Sequence, residues 1–121
     1  MKNNFFKCWI PLYIYAGVIF YLSSIPKPLP DIDIPFLDKI LHVCEYSVFG
    51  VLASRAFRNS PRSIFFKNFK ILATLFAVLY GISDEFHQGF VSERQFNVFD
   101  MLADGIGGTL GAFIYGRYYP L

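Results

Sequence analysis

Acidic and histidine side chains recur at helical spacing in three separate stretches of the sequence. Asp38, His42 and Glu45 stand at positions i, i+4 and i+7, so a helix carries all three on one stripe. Two further groups of this kind follow along the chain: Asp84, His87 and Gln88 with Glu85 beside them, and Asp100 with Asp104. Three predicted helices therefore each offer a polar stripe that could do chemistry.

Carboxylates and imidazoles on neighbouring helices suit general acid and base catalysis. In such a site His42 or His87 would be the base, and Glu45 or Asp104 would orient it. Asp84 is a further catalytic candidate. Arg94 would hold an anionic group, since a guanidinium pairs with phosphate or carboxylate through two hydrogen bonds. The other polar residues are expected to bind the ligand: Asp38, Glu85, Gln88 and Asp100.

The same side chains could supply metal ligands, since imidazole and carboxylate suit zinc or manganese. The candidates are His42, Glu45, Asp84, His87 and Asp104. The sequence contains no H-E-x-x-H motif and no paired-cysteine spacing, so it leaves a metal, or any other cofactor, undecided.

Each polar residue also has a purely structural interpretation. Asp38 could cap a helix after Pro35, and Asn97 with Asp100 three residues later resembles a capping arrangement. Histidines in helical proteins are more often hydrogen-bonded core residues than ligands or bases. Glu45 and Asp104 differ because they lie inside apolar runs, where no cap is needed, so a functional or partner-bound role is favoured.

The composition indicates that lipid surrounds these helices. The chain has 121 residues, enough for one domain, and 55% of them are hydrophobic against 17% charged. A soluble domain of this size could not bury so much apolar surface. The small net charge of +2 and the absence of a basic stripe interleaved with aromatics argue against a nucleic-acid partner.

Apolar segments predict an all-α integral membrane bundle of four transmembrane helices. The spans are expected at about residues 8–25, 40–57, 66–83 and 101–119. A proline-rich connection separates the first two, and Ser60-Pro61 is typical of a helix start before the third. In the fourth, Ala103, Gly107 and Gly111 form a small-residue face that lets another helix approach closely.

The distribution of charge predicts the orientation of this bundle. The loop between the second and third spans is rich in basic residues: Arg55, Arg58, Arg62, Lys67 and Lys70. By the positive-inside rule this loop is cytoplasmic, and so are both termini if there are four spans. The acidic residues then lie towards the outer side of a bacterial cytoplasmic membrane.

At these residues the chain resembles the VanZ-like family of bacterial membrane proteins. The matching stretches are Asp38 to His42 with Glu45-Tyr46 and Phe49-Gly50, Ser83 to Gln88 with Arg94, and Asp100 to Asp104 followed by glycines. The resemblance implies a link to low-level resistance to the glycopeptide teicoplanin, as in the founding member of that family. It implies no particular reaction.

Three functions are compatible with the sequence. The first is a cell-envelope membrane protein whose outward-facing polar pocket binds or modifies a lipid or another envelope component. The second is a non-catalytic subunit whose polar network specifies helix packing or docking, with a homo-oligomer as one form. The third, transport of protons or ions, is disfavoured because no continuous relay of charged residues crosses the cytoplasmic half. The residues do not decide whether the protein is an enzyme.

Overall fold

A computed structural model describes residues 4–25, 37–91 and 96–121, and these residues are helical with short connections. Five helices follow in order: α1 (Asn4–Ser24), α2 (Leu37–Arg58), α3 (Ser63–Lys67), α4 (Phe69–Gln88) and α5 (Val98–Tyr118). The described ranges contain no strand, so the all-helical prediction is confirmed for them. The single-domain prediction and the exact limits of the predicted spans remain expectations.

The four long helices alternate in direction along the bundle. Arg55 near the end of α2 donates through Nη1 to the carbonyl of Lys7 in α1, at 3.3 Å. Arg58, one turn later, donates to the carbonyls of Tyr119 and Pro120 after α5, at 3.3 Å and 2.9 Å. The start of α1 and the end of α5 therefore lie together at the end of the bundle that carries the basic α2–α4 connection.

The α2–α4 connection differs from the single helix start predicted at Ser60-Pro61. The Ser60 hydroxyl accepts a hydrogen bond from the amide of Arg62, and α3 begins only at Ser63. A break at Asn68 (φ −113°, ψ 26°) then separates α3 from α4. At its other end α4 continues through Gln88, so residues expected in a polar connection belong to its last turns.

Close packing between α2 and α5 depends on glycines. A Cβ atom at Gly107 would overlap the carbonyl of Val43, and one at Gly111 would overlap the carbonyl of Ser47. Gly50 on α2 faces the backbone of Gly108 in the same way. The small-residue face predicted on the last helix thus lies where it crosses α2, and it brings the polar stripes of the two helices together.

Aromatic side chains fill the core between α1, α2 and α4. Phe49 stacks on Tyr80 with ring centroids 5.1 Å apart, and Trp9 packs edge-on against Phe57 at 5.1 Å. Tyr80 also donates to the carbonyl of Ala16 on α1. These contacts hold α1 against the other helices.

The outer faces of the helices are apolar. On α4 exposed side chains recur at helical spacing at Ile71, Leu75, Leu79, Ile82 and Phe86, and α5 has the same pattern at Phe99, Leu102, Ile106, Leu110 and Phe113. Within the described residues, the stretches Phe5–Ser24 and Leu37–Arg58 are long and apolar enough to cross a membrane by length and composition. Carboxylates near one end lower the hydropathy of α4 and α5.

Candidate functional site

The best-defined polar contact joins α2 to α5 through His42 and Asp104. The imidazole Nδ1 lies 2.6 Å from Asp104 Oδ1, and the Asp104 side chain is fully buried. Gly81 on α4 makes room for this carboxylate, because a Cβ atom there would lie only 2.8 Å from Asp104 Cβ. If Asp104 is ionised, His42 donates from Nδ1 and keeps Nε2 available for proton exchange.

Lys39 joins the same pair of helices about one turn nearer the end of the bundle where α2 and α5 begin. Its Nζ lies 2.7 Å from Asp100 Oδ1 and 2.6 Å from Asp38 Oδ2. Asp100 is buried, and its Oδ2 lies 3.9 Å from Nε2 of His42, which is longer than a hydrogen bond. Two carboxylates one turn apart on α5 thus face a lysine and a histidine on α2.

Glu85 connects the end of α4 to the start of α5. Its side chain is fully buried, and Oε1 accepts a hydrogen bond of 2.9 Å from the amide of Asn97. Asn97 in turn caps α5 by accepting from the amide of Phe99, so the predicted cap at Asn97 is confirmed. Glu85 Oε2 and Asp104 Oδ2 are buried without a hydrogen-bond partner in the part of the chain that the structure describes.

Asp84 lies in a second group of contacts, between α1, α2 and α4. Ser23 donates to Asp84 Oδ1 at 2.5 Å, and the Tyr46 hydroxyl lies 3.4 Å from Oδ2. Gln88 Nε2 reaches the Ser23 hydroxyl at 3.4 Å. The Asp84, Ser23 and Gln88 side chains are buried, so this group closes the packing of α1 at the polar end of the bundle.

His87 pairs with α1 and not with a carboxylate. Its Nε2 lies 2.8 Å from the Ser24 hydroxyl, and its ring stacks on Phe20 with centroids 4.4 Å apart. Ser24 already donates its proton to the carbonyl of Phe20 at 2.8 Å, so it accepts from His87. This arrangement orients the imidazole but does not activate the serine as a nucleophile.

The remaining predicted site residues differ in their surroundings. Glu45 is half-buried on α2, and its backbone carbonyl accepts from the Tyr15 hydroxyl at 2.7 Å. Asp38 lies in the first turn of α2, where its side chain is 66% exposed and pairs with Lys39. Arg94 lies outside the described residues.

Sequence reasoning missed four polar partners: Ser23, Ser24, Lys39 and Tyr46. Lys39 and Tyr46 lie inside the stretches that carry the family resemblance, so the sequence motifs could have identified them as site residues. The two serines end an apolar helix before a proline-rich connection, and only the fold brings them to α4.

Two of the candidate metal ligands, His42 and Asp104, lie side by side, whereas His87 pairs with Ser24. In residues 4–25, 37–91 and 96–121, no three histidine, cysteine, aspartate or glutamate side chains form a group that could hold a metal ion. His42 with Asp104 instead resembles a histidine oriented by a carboxylate, which is a common arrangement for a general base.

Comparison with known proteins agrees with the sequence motifs. The model of the VanZ/LLP1 family matches residues 2–119, nearly the whole chain. No curated protein and no solved structure matches the chain significantly. With this match and two helices apolar enough to cross a membrane, the chain is a membrane protein that belongs to the VanZ/LLP1 family.

Proposed function

We propose that α1, α2, α4 and α5 are four membrane spans with both termini in the cytoplasm. The apolar stripes on α4 and α5 support this, since a soluble protein rarely exposes contiguous apolar faces of such length. Helices of about 20 residues extend about 30 Å, the thickness of a bilayer core. Their carboxylates lie towards one end and face other helices, as ionisable groups in a membrane must.

The orientation follows from the basic end of the bundle. Arg55, Arg58, Lys67 and Lys70 gather there with both described chain ends, whereas the described carboxylates lie towards the opposite end. Short basic loops remain cytoplasmic. The polar cluster, which consists of Lys39, His42, Glu85, Asp100 and Asp104, therefore faces the outside of a bacterial cytoplasmic membrane.

The function that this geometry supports best is binding or modification of a lipid or another envelope component at the polar cluster. The observation that carries this proposal is the pair of fully buried carboxylates, Glu85 and Asp104, each with one oxygen unpaired among the described residues. Burial of an unpaired polar atom costs about 1 to 3 kcal/mol, a cost that a hydroxyl or ammonium group of a bound ligand could offset by donating a hydrogen bond. A role in resistance to teicoplanin would be one consequence of acting on an envelope component.

A catalytic form of this function would use His42 as the base and Asp104 as the residue that orients it. The contact at 2.6 Å favours this pair over the alternatives that the sequence left open, since His87 is engaged by Ser24. Arg94 is the basic residue that we propose for the anionic group of the ligand. It is the one basic residue of the sequence between α4 and α5, where Glu93 is the one acid.

The test compares His42→Gln with Tyr80→Phe, which removes a hydroxyl hydrogen bond elsewhere in the bundle. Each purified variant is incubated in vesicles of bacterial total lipid, and lipid products and retained lipids are measured by mass spectrometry. Teicoplanin susceptibility is measured in cells expressing each variant. We expect His42→Gln to lose turnover or retention and any resistance, and Tyr80→Phe to keep them. Equal behaviour of the two variants at equal helix content would refute the proposal.

A second candidate is a non-catalytic network that fixes helix packing or docking, including contact between copies of the chain. Several polar side chains already have intramolecular partners, such as Ser23 with Asp84 and Lys39 with Asp100, which favours this alternative. Asp104→Asn would then lower folding yield or oligomer stability without a separate loss of activity. A well-folded, normally assembled Asp104→Asn protein that has lost its phenotype would exclude it.

A further inference from the structure

A second candidate binding site lies at the opposite end of the bundle from the polar cluster. A cavity of about 240 Å³ opens where the start of α4 passes the last turn of α5. Lys67, Asn68 and Lys70 line one side, and Gly116, Pro120 and Leu121 line the other. Its volume equals roughly eight water molecules at liquid density, which is enough for a small headgroup.

The two lysines at this cavity have exposed side chains. Within the described ranges neither Lys67 nor Lys70 forms an ion pair, because the described carboxylates lie towards the other end of the bundle. The neighbouring arginines are engaged differently, since Arg55 and Arg58 donate to backbone carbonyls. The cavity therefore offers two cations to an anionic ligand.

The position of Lys70 connects the cavity to the apolar outer surface. Its aliphatic stem crosses Gly116, where a Cβ atom would lie only 2.8 Å from Lys70 Cδ. Its ammonium lies 5.6 Å from the centre of the Phe113 ring. Phe113 and Ile71, the first residue of the apolar stripe on α4, are 60% and 63% exposed. A ligand held by the lysines would thus have apolar surface beside it.

We propose that this cavity binds the headgroup of an anionic phospholipid. The phosphate would lie between Lys67 and Lys70, and the acyl chains would follow the exposed side chains of Ile71 and Phe113. Basic pockets between membrane helices on the cytoplasmic side recognise anionic headgroups by this chemistry. The site is separate from the polar cluster, but it rests on the proposed four-span arrangement with this end of the bundle in the cytoplasm.

The experiment measures lipid retention by native mass spectrometry of the full chain in detergent, titrated with phosphatidylglycerol or phosphatidylcholine. We expect phosphatidylglycerol to be retained preferentially. Each lysine near a headgroup contributes roughly fivefold in affinity, so Lys67→Gln with Lys70→Gln should weaken retention roughly 30-fold. The matched control, Lys7→Gln with Arg62→Gln, removes two charges from the same end outside the cavity and should change retention by less than about threefold.

Two further arms make the result decisive. Gly116→Leu fills the cavity without changing charge and should also reduce retention; unchanged retention would overturn the proposal. An excess of inorganic phosphate should not displace the lipid, and displacement would instead indicate a site for free anions.

Equal losses in the two double variants would likewise overturn the proposal. If the glutamine pair fails to fold, Lys67→Arg with Lys70→Arg, which keeps both charges, must retain phosphatidylglycerol while Gly116→Leu does not.

Discussion

The contact between His42 and Asp104 predicts a large coupling energy in a double-mutant cycle. Hydrogen bonds to charged groups contribute about 1.5 to 3 kcal/mol, and this one is short, with Asp104 fully buried. The coupling between His42→Ala and Asp104→Ala should therefore reach about 1.5 to 3 kcal/mol. Neutral hydrogen bonds between membrane helices average about 0.6 kcal/mol, so this pair should stand clearly above that level.

The assay is unfolding of purified protein by sodium dodecyl sulfate in mixed micelles, followed by helical circular dichroism. An internal reference is the cycle between Asp38 and Lys39, whose ion pair includes a 66% exposed carboxylate. Exposed pairs contribute about 0.2 to 1 kcal/mol, so its coupling should be the smaller of the two. A His42–Asp104 coupling at or below the reference value would refute the inference that this buried pair links α2 to α5 more strongly than an exposed ion pair.

Two other predictions concern the elements that position the cluster and use the same unfolding assay. Gly111→Ala should destabilise the protein by about 1 to 3 kcal/mol because its methyl group would overlap the Ser47 carbonyl. The control is Gly105→Ala, whose added methyl group would lie 3.5 Å from Val78 Cγ2, an ordinary contact. This variant should raise the free energy of unfolding by up to about 1 kcal/mol through helix propensity. Equal effects of the two variants would contradict the close packing of Gly111 against α2. Asn97→Ala should cost about 1 kcal/mol by removing the cap of α5, and an unchanged midpoint would show that the cap contributes nothing.

The helical stripes of the site were predictable because they depend on local spacing alone. Asp38, His42 and Glu45 lie within one helix, and so do Asp84 and Gln88, as the 3.6-residue period indicated. The close approach of Gly107 and Gly111 to another helix was also visible, since a run of small residues leaves room for a backbone.

The pairing between helices was not predictable from that spacing. His42 and Asp104 are 62 positions apart, and the choice of Asp104 over Glu45 as partner depends on how α5 crosses α2. The partner of His87 was missed for a similar reason, because Ser24 ends a helix that looked wholly apolar. No proline or glycine marks the break at Asn68, so the sequence pattern predicted one helix start at Ser60-Pro61 and no second break.

Cysteine accessibility tests most directly whether the polar cluster lies on the outer side of a four-span bundle. In a background with Cys8→Ala and Cys44→Ala, one variant carries Phe90→Cys, beyond α4 at a side chain that is 89% exposed. The other carries Ser63→Cys, at the exposed start of α3. Intact spheroplasts are treated with a membrane-impermeant maleimide, with and without detergent.

We expect the cysteine at position 90 to be labelled in intact spheroplasts and the cysteine at position 63 to be labelled only after detergent is added. Labelling of both from the same side, or the reverse pattern, would contradict it.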